Sequence, residues 1–138
     1  MAAMIARARF ALIALAAIAA SPAAAAPFTI RVGESWAFAI EKGQPVRARK
    51  VTPASRPAAG EIKATLSAMA GTTMILTSNS ATSYTFVAEL VGAPLGKSAK
   101  RTCTLLPRRP TIEYWPVKAA AVRIGTFKAA PDDGGSCP

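Results

Sequence analysis

The residues that could carry out acid–base chemistry in this chain are few. The sequence contains no histidine, so it lacks the commonest general base and a frequent zinc ligand. Its only aspartates, Asp132 and Asp133, lie in a polar segment near the end of the chain. A glycosidase would need folding to bring two of the glutamates together. We interpret them instead as solvated strand and turn residues; they are Glu34, Glu41, Glu61, Glu89 and Glu113.

Nucleophile and cofactor motifs are also absent from the sequence. Ser98 lies beside Lys97 and Lys100, but the S-x-x-K spacing of serine–lysine enzymes is missing. There is no phosphate-binding loop and no dinucleotide-binding fingerprint. We therefore predict a protein that is not an enzyme and that holds no metal or cofactor.

Two cysteines, Cys103 and Cys137, are the remaining reactive side chains. They are too far apart for a C-x-x-C redox site, and two cysteines allow a single intramolecular pairing. Such a bond would close a loop of ~35 residues and stabilise the fold by about 3–4 kcal/mol in the chain-entropy model. Residues 131–138 have no apolar side chain that would dock them, so we predict that the disulfide pins this tail to the domain.

Basic side chains form three clusters along the sequence. Guanidinium and ammonium groups bind phosphates and carboxylates, so convergent clusters would form an anion site, whereas dispersed clusters would only keep the protein soluble. The candidate anion-binding residues are Arg47, Arg49 and Lys50, with Arg56 nearby, then Lys97, Lys100 and Arg101, and finally Arg108 and Arg109.

Arg47 and Arg49 stand at alternate positions of a predicted strand, so we expect them to share one face. Charges on an exposed edge strand discourage aggregation with other strands. The same edge is alternatively a place where a partner protein adds a strand.

Tyr114 and Trp115 follow the third basic cluster and are candidate aromatic contacts. Aromatic rings beside arginines suit stacking on sugars or bases. Trp115 would alternatively cover a sheet edge or one end of the core. The surrounding residues 107–116 contain three prolines, and they are predicted to form an exposed loop of the kind that a small secreted enzyme inhibitor presents.

Apolar residues alternate with polar or small ones through most of the chain, which predicts strands. Residues 35–40 and 46–51 are expected to form a hairpin with a turn at 41–44 that contains Gly43, followed by a loop at 52–60. Further strands are expected at 61–68, 72–77, 83–91, 101–106 and 119–128. About seven or eight short antiparallel strands favour an all-β fold, a small immunoglobulin-like β-sandwich.

The N-terminal residues have the pattern of a secretory signal peptide. Arg7 and Arg9 precede an apolar run at 10–20 and an alanine-rich stretch. The run is about half of the ~20 residues that span a bilayer, so we expect no transmembrane anchor. Cleavage is predicted after Ala23 or Ala25. We therefore divide the chain into a signal peptide (1–25), a β-sandwich domain (26–130) and a disulfide-pinned tail (131–138), located in the periplasm or secreted.

Composition adds a strong positive charge. The chain has 17 Lys and Arg against 7 Asp and Glu, a net charge of +10, or about +8 once the leader is removed. We expect an exported, non-enzymatic, envelope-associated accessory or binding module. The alternatives are a basic module that binds a polyanion (lipid headgroup, polysaccharide or nucleic acid) and a small secreted enzyme inhibitor. The expected partner is an anionic envelope polymer or another exported protein.

Overall fold

The computed structural model of the chain describes residues 28–93, 99–131 and 135–138, with the backbone alone at 99–101. The predicted signal peptide and its cleavage site, Lys97, Ser98, Asp132 and Asp133 lie outside the described residues. What the sequence predicts for them stays a prediction.

The described residues form antiparallel strands in two sheets. The four-stranded sheet has the order β1-β9-β6-β7, and the five-stranded sheet has the order β3-β2-β4-β5-β8. No helix in the described ranges is long and apolar enough to cross a membrane. In chain order the strands are β1 (Phe28–Arg31), β2 (Ser35–Glu41), β3 (Gln44–Val51), β4 (Ile62–Ala68), β5 (Thr72–Ser78), β6 (Ser83–Val91), β7 (Ala99–Arg101), β8 (Pro110–Trp115) and β9 (Ala121–Ala130).

The two sheets enclose one hydrophobic core, to which strands of both contribute. Phe127 of β9 belongs to this core and stacks on Phe86 of β6, with ring centroids 4.9 Å apart. It also meets Phe38 of β2 edge-on at 6.1 Å, so this cluster of rings joins the sheets. Burying a large apolar side chain contributes about 1.5–3 kcal/mol, so the rings are a main source of cohesion between the layers.

The β2–β3 hairpin is built around a two-residue turn. Lys42 and Gly43 both have positive φ, 49° and 76°, the combination of a type I′ turn whose twist matches that of paired strands. Phe127 N donates to Gly43 O at 2.8 Å, which ties the turn to the other sheet. A Cβ at position 43 would lie 2.9 Å from Phe127 O, so the approach requires glycine.

Arg47 and Arg49 were expected to share one face of β3, because side chains alternate between the two faces of a regular strand. A bulge in β3 interrupts this alternation. The register between β2 and β3 shifts between Ala37 and Ala39, and Arg47 has a φ of 50°. The extra residue breaks the period of two. That prediction, which assumed a regular strand, is therefore not supported by the register.

Much of the predicted strand pattern is confirmed. The hairpin, the loop at 52–60 and strands close to 62–68, 72–78 and 83–91 occur as expected, and the protein is all-β with two antiparallel sheets. The immunoglobulin-like part of the prediction is not confirmed. The strand order differs from the ABED and CFG sheets of immunoglobulin domains.

Three elements differ from the predictions. The strand expected at 101–106 ends at Arg101, and beyond it Leu105 forms one isolated bridge to Tyr84. Residues 107–116 are not a continuous loop, because β8 begins at Pro110. Proline is tolerated at the first position of an edge strand. The short strand β1 was not expected at all.

Candidate binding surface

The three residues of the first basic cluster that lie in β3 are each paired with a glutamate. Arg49 contacts Glu61 through two hydrogen bonds, Nη2 to Oε2 at 2.7 Å and Nε to Oε1 at 3.3 Å. Arg47 pairs with Glu41. Lys50 pairs with Glu34 at 3.0 Å, as described below. The positive charge predicted to bind anions here is therefore largely neutralised within the protein.

The Glu34 carboxylate contacts several hydrogen-bond donors at the corner between β1 and β2. Its Oε2 accepts from Trp36 Nε1 at 2.9 Å and from Arg31 N at 3.1 Å, and its Oε1 lies 3.0 Å from Lys50 Nζ. The Trp36 hydrogen bond, then Lys50 and the Arg31 amide, lower the pKa of Glu34 to about 2. Glu34 and Lys50 thus form part of a structural corner.

Glu61 has a similar role where the 52–60 loop enters β4. Arg49 first, then the Ala58 amide, lower its pKa, and the charge of Arg47 adds to this effect. The Ala58 N donates to Glu61 Oε2 at 2.9 Å. Despite the bulge, Arg47 and Arg49 thus act on the same carboxylate.

The third cluster lies at the opposite edge of the five-stranded sheet. Arg108 and Arg109 occupy the turn that leads into β8, and both are exposed. Arg108 N donates to Ser78 O at 2.9 Å, which fixes the turn against the end of β5. Four strand spacings of about 4.8 Å separate β3 from β8, a lateral distance of about 19 Å. The first and third clusters therefore do not converge.

The second cluster lies on the β8 side of the molecule. Lys100 and Arg101 belong to β7, the edge strand of the four-stranded sheet. Two residues later, Cys103 N donates to Glu113 Oε1 of β8 at 2.7 Å. The structure thus brings the backbone of the second cluster toward the side that carries the third and away from the first.

Exposed apolar side chains collect on the outer face of β5 and β8. Ile75 of β5 and Ile112 of β8 are directly paired across the two strands, and their exposed fractions are 40 % and 63 %. Tyr114, 51 % exposed, stands two positions further along β8. We call Ile75, Ile112 and Tyr114 the β8 patch. Clustered exposed apolar residues of this kind are typical of interaction sites.

The rest of this outer face is partly covered. Lys63 of β4 donates from Nζ to Pro53 O at 2.6 Å and to Ser55 O at 2.7 Å, which holds the 52–60 loop against the sheet. At the other end, the Tyr114 ring lies over Gly71, where an added Cβ would come within 3.0 Å of its hydroxyl. The β8 patch is therefore framed by the loop and by the β4–β5 turn.

Trp115 and Tyr114 have opposite environments. Trp115 is 6 % exposed and belongs to the core, whereas Tyr114 lies on the outer face. Because alternate residues of a strand point to opposite faces, one aromatic ring covers the core and the next faces solvent. Of the two candidate aromatic contacts, only Tyr114 is accessible.

The predicted disulfide between Cys103 and Cys137 is present, and its segment links the two sheets. Leu105 exchanges backbone hydrogen bonds with Tyr84 of β6 at 2.8 and 3.1 Å, while Cys103 N is bonded to the buried Glu113 of β8. Thr104 N donates to Ser136 O at 2.9 Å, so the tail is held beside this segment by a hydrogen bond as well.

A shallow groove of about 260 Å³ runs between β8 and the disulfide. Arg109, Thr111 and Ile112 line it from the β8 side, and Cys103 and Cys137 line it from the other. A larger groove, about 360 Å³, lies on the β6–β9 side of the tail and contains one lysine, Lys128. In the described ranges, no three Cys, Asp or Glu side chains come together as metal ligands would.

Sequence reasoning missed the β8 patch, because the prolines of residues 107–116 indicate a loop. A signal was present: Ile112 and Tyr114 alternate with Thr111, Glu113 and Trp115, a period of two. The expectation that Glu113 is solvated is wrong, since it is 3 % exposed and accepts a hydrogen bond from Cys103 N. Comparison with known proteins adds no assignment, since no family model matches the chain and neither a curated protein nor a solved structure is significantly similar to it.

Proposed function

We propose that this chain is an exported, non-enzymatic binding module that contacts another exported protein through the β8 patch. The observation that carries the proposal is the paired exposure of Ile75 and Ile112 on an edge strand and its neighbour. Exposed apolar side chains that cluster on a protein surface commonly mark a site where a partner protein binds. Binding of a partner at a sheet edge is a recognised mode of association.

The ion pairs support a protein partner over a polyanion as the first candidate. Arg47, Arg49 and Lys50 face glutamates of their own chain, and a polyanion would have to compete with these contacts. The polyanion alternative then depends on cations without an ion pair among the described residues, chiefly Arg56, Arg108 and Arg109. The inhibitor alternative depends on the short turn 107–109, because residues 110–115 are paired with β5.

Site-specific photo-crosslinking in the source cell tests the proposal. A photoreactive amino acid replaces Ile112 in one full-length variant and Thr29, an exposed residue of β1, in a matched control. We expect a discrete crosslinked protein from position 112 and none from position 29. Equal crosslinking at both positions, or none at position 112, would contradict a partner at the β8 patch.

The polyanion alternative has its own test. The purified, oxidised domain is mixed with anionic lipids, polysaccharides and nucleic acids at low and high salt. Tight binding to one member that survives moderate salt would favour a built anion site. Weak binding to all of them that disappears as salt rises would show a generic charge effect, because screening removes exposed electrostatic contacts.

A further inference from the structure

We infer, on the basis of the proposed function, that the partner contributes an extended segment with apolar and acidic residues that adds as a strand to the edge of β8 opposite β5. The segment would lie along the groove between β8 and the disulfide. Its apolar side chains would continue the row formed by Ile75 and Ile112, and its carboxylates would meet Arg108 and Arg109.

Among the sheet edges in the described ranges, β8 is the one best suited to strand addition. The other edge of its sheet, β3, carries Pro45, the bulge at Arg47 and a row of charges, which are features that discourage pairing. In the four-stranded sheet, β1 has 4 residues and β7 has 3. Strand β8 has 6 residues, and in an edge strand alternate residues turn their backbone N–H and C=O away from the paired neighbour.

The groove described above leaves open space beside this edge of β8. Arg109, Thr111 and Ile112 form its β8 wall, and the disulfide forms the other. A paired strand lies about 4.8 Å from its neighbour, so an added strand would occupy the side of β8 that is turned away from β5. Apolar residues at every second position of the segment would then pack beside Ile112 and Tyr114.

Among the described side chains, the exposed charges at the two ends of β8 are positive, which favours an acidic partner. Arg108 and Arg109 precede the strand, Lys118 follows it, and all three are exposed. Within the strand the one carboxylate, Glu113, is 3 % exposed and turned inward. A second copy of this chain paired antiparallel on β8 would bring the arginines of each copy toward the other's Lys118, and like charges oppose such pairing. Carboxylates in the same place would be attracted.

A synthetic peptide provides a direct test with the oxidised full-length mature domain. The probe is an acetylated peptide of about eight residues, alternating threonine and valine and ending in two glutamates, because antiparallel addition brings its C-terminal end to Arg108 and Arg109. The control peptide ends in two lysines. We expect the acidic peptide to slow amide hydrogen exchange within residues 111–115 and the lysine peptide to leave it unchanged.

Variants assign the contacts. Arg108→Ala/Arg109→Ala should weaken peptide binding by about 3- to 10-fold, the effect of losing two exposed ion pairs. Arg31→Ala/Lys128→Ala removes the same net charge from the four-stranded sheet and should have little effect. Ile112→Thr keeps a β-branched residue but loses apolar contact, so it should also weaken binding.

Three results would overturn the inference. They are no protection of any amide within residues 111–115 at millimolar peptide, equal binding of the two peptides, and a dimer in sedimentation experiments that Ile112→Thr dissociates, which would make a second copy the occupant. If the peptide fails but crosslinking at position 112 still captures a discrete protein, strand addition is wrong and the proposed function stands. If both fail, the β8 patch is not the binding surface.

Discussion

At the scale of single residues, one carboxylate organises a corner of the molecule. Glu34 accepts from Trp36 Nε1 and Arg31 N and faces Lys50, so it joins the end of β1, the start of β2 and the edge strand β3. These contacts all favour the charged carboxylate. The stability of the corner therefore depends on pH.

The sign of that dependence follows from the pKa. Folding lowers the pKa of Glu34 from 4.5 to about 2, so the unfolded chain binds more protons in that interval. The stabilisation is complete above pH 4.5 and is lost as the pH falls toward 2. Glu34→Gln should reduce stability at pH 7, and the urea midpoints of variant and wild type should converge as the pH falls.

A second glutamate provides the comparison. Glu41 pairs with Arg47 where both side chains are more than half exposed, and such pairs contribute about 0–1 kcal/mol. Glu41→Gln should therefore shift the urea midpoint only slightly at any pH. Equal effects of the two substitutions at pH 7 would contradict the special role of Glu34.

At the scale of elements, the hairpin between β2 and β3 shows what a sequence predicts well. Its alternation and its glycine turn are local signals, and the turn formed where expected. The contact of that turn with Phe127 is a tertiary feature with no signature in the sequence. Gly43 is therefore constrained twice, by its φ and by the neighbouring sheet.

Two glycine substitutions separate these constraints. Gly33 and Gly43 both have positive φ, but a Cβ at Gly33 would meet nothing within 4 Å, whereas one at Gly43 would lie 2.9 Å from Phe127 O. Gly33→Ala should cost about 1 kcal/mol of unfolding free energy. Gly43→Ala should cost about 1–3 kcal/mol more, because overpacking is added to backbone strain. Equal values in urea unfolding would show that the turn moves freely away from β9.

Non-local contacts explain where the sequence predictions were wrong. The segment after Arg101 is not a regular strand: Cys103 N donates to Glu113 and Thr104 N donates to Ser136 of the tail, and both acceptors are distant in the sequence. The bulge at Arg47 has no local marker such as glycine. The prolines around residues 107–116 masked the alternation of β8, so the surface that carries the functional proposal was not predicted. The basic clusters are visible in the sequence, but it does not show that the first and third lie at opposite edges of one sheet.

At the scale of the whole molecule, the disulfide segment closes one side of the sandwich. It is bonded to β6 through Leu105 and to β8 through Glu113, and the bond to Cys137 holds the tail against it. The loop closed by the disulfide spans 34 positions. Closing a loop of this length restricts the conformations of the unfolded chain. In the folded protein the disulfide also forms one wall of the β8 groove.

Removing the crosslink should therefore lower stability measurably. Cys103→Ala/Cys137→Ala should reduce the free energy of unfolding by about 3–4 kcal/mol in urea at pH 7. Wild type treated with a reducing agent should move to the same value. An unchanged midpoint in both cases would mean that hydrogen bonds such as that from Thr104 to Ser136 suffice to hold the segment.

The first and third basic clusters should contribute differently to polyanion binding, and two matched double variants compare them. Arg47→Ala/Arg49→Ala and Arg108→Ala/Arg109→Ala each remove two positive charges, but only the first pair is held by glutamates. The second variant should elute from a heparin column at lower salt than the first. Identical elution would show that net charge alone governs retention.

The pairing of the first described strand with the last has a consequence for how the protein folds. Ile30 pairs with Val122, so nearly the whole described chain must be synthesised before β1 finds its neighbour, and Phe127 arrives with the same late strand. Contacts between distant positions slow folding. Without β9, Phe38 and Phe86 lack their contacts with Phe127, so we expect the incomplete chain to be more prone to aggregation and proteolysis.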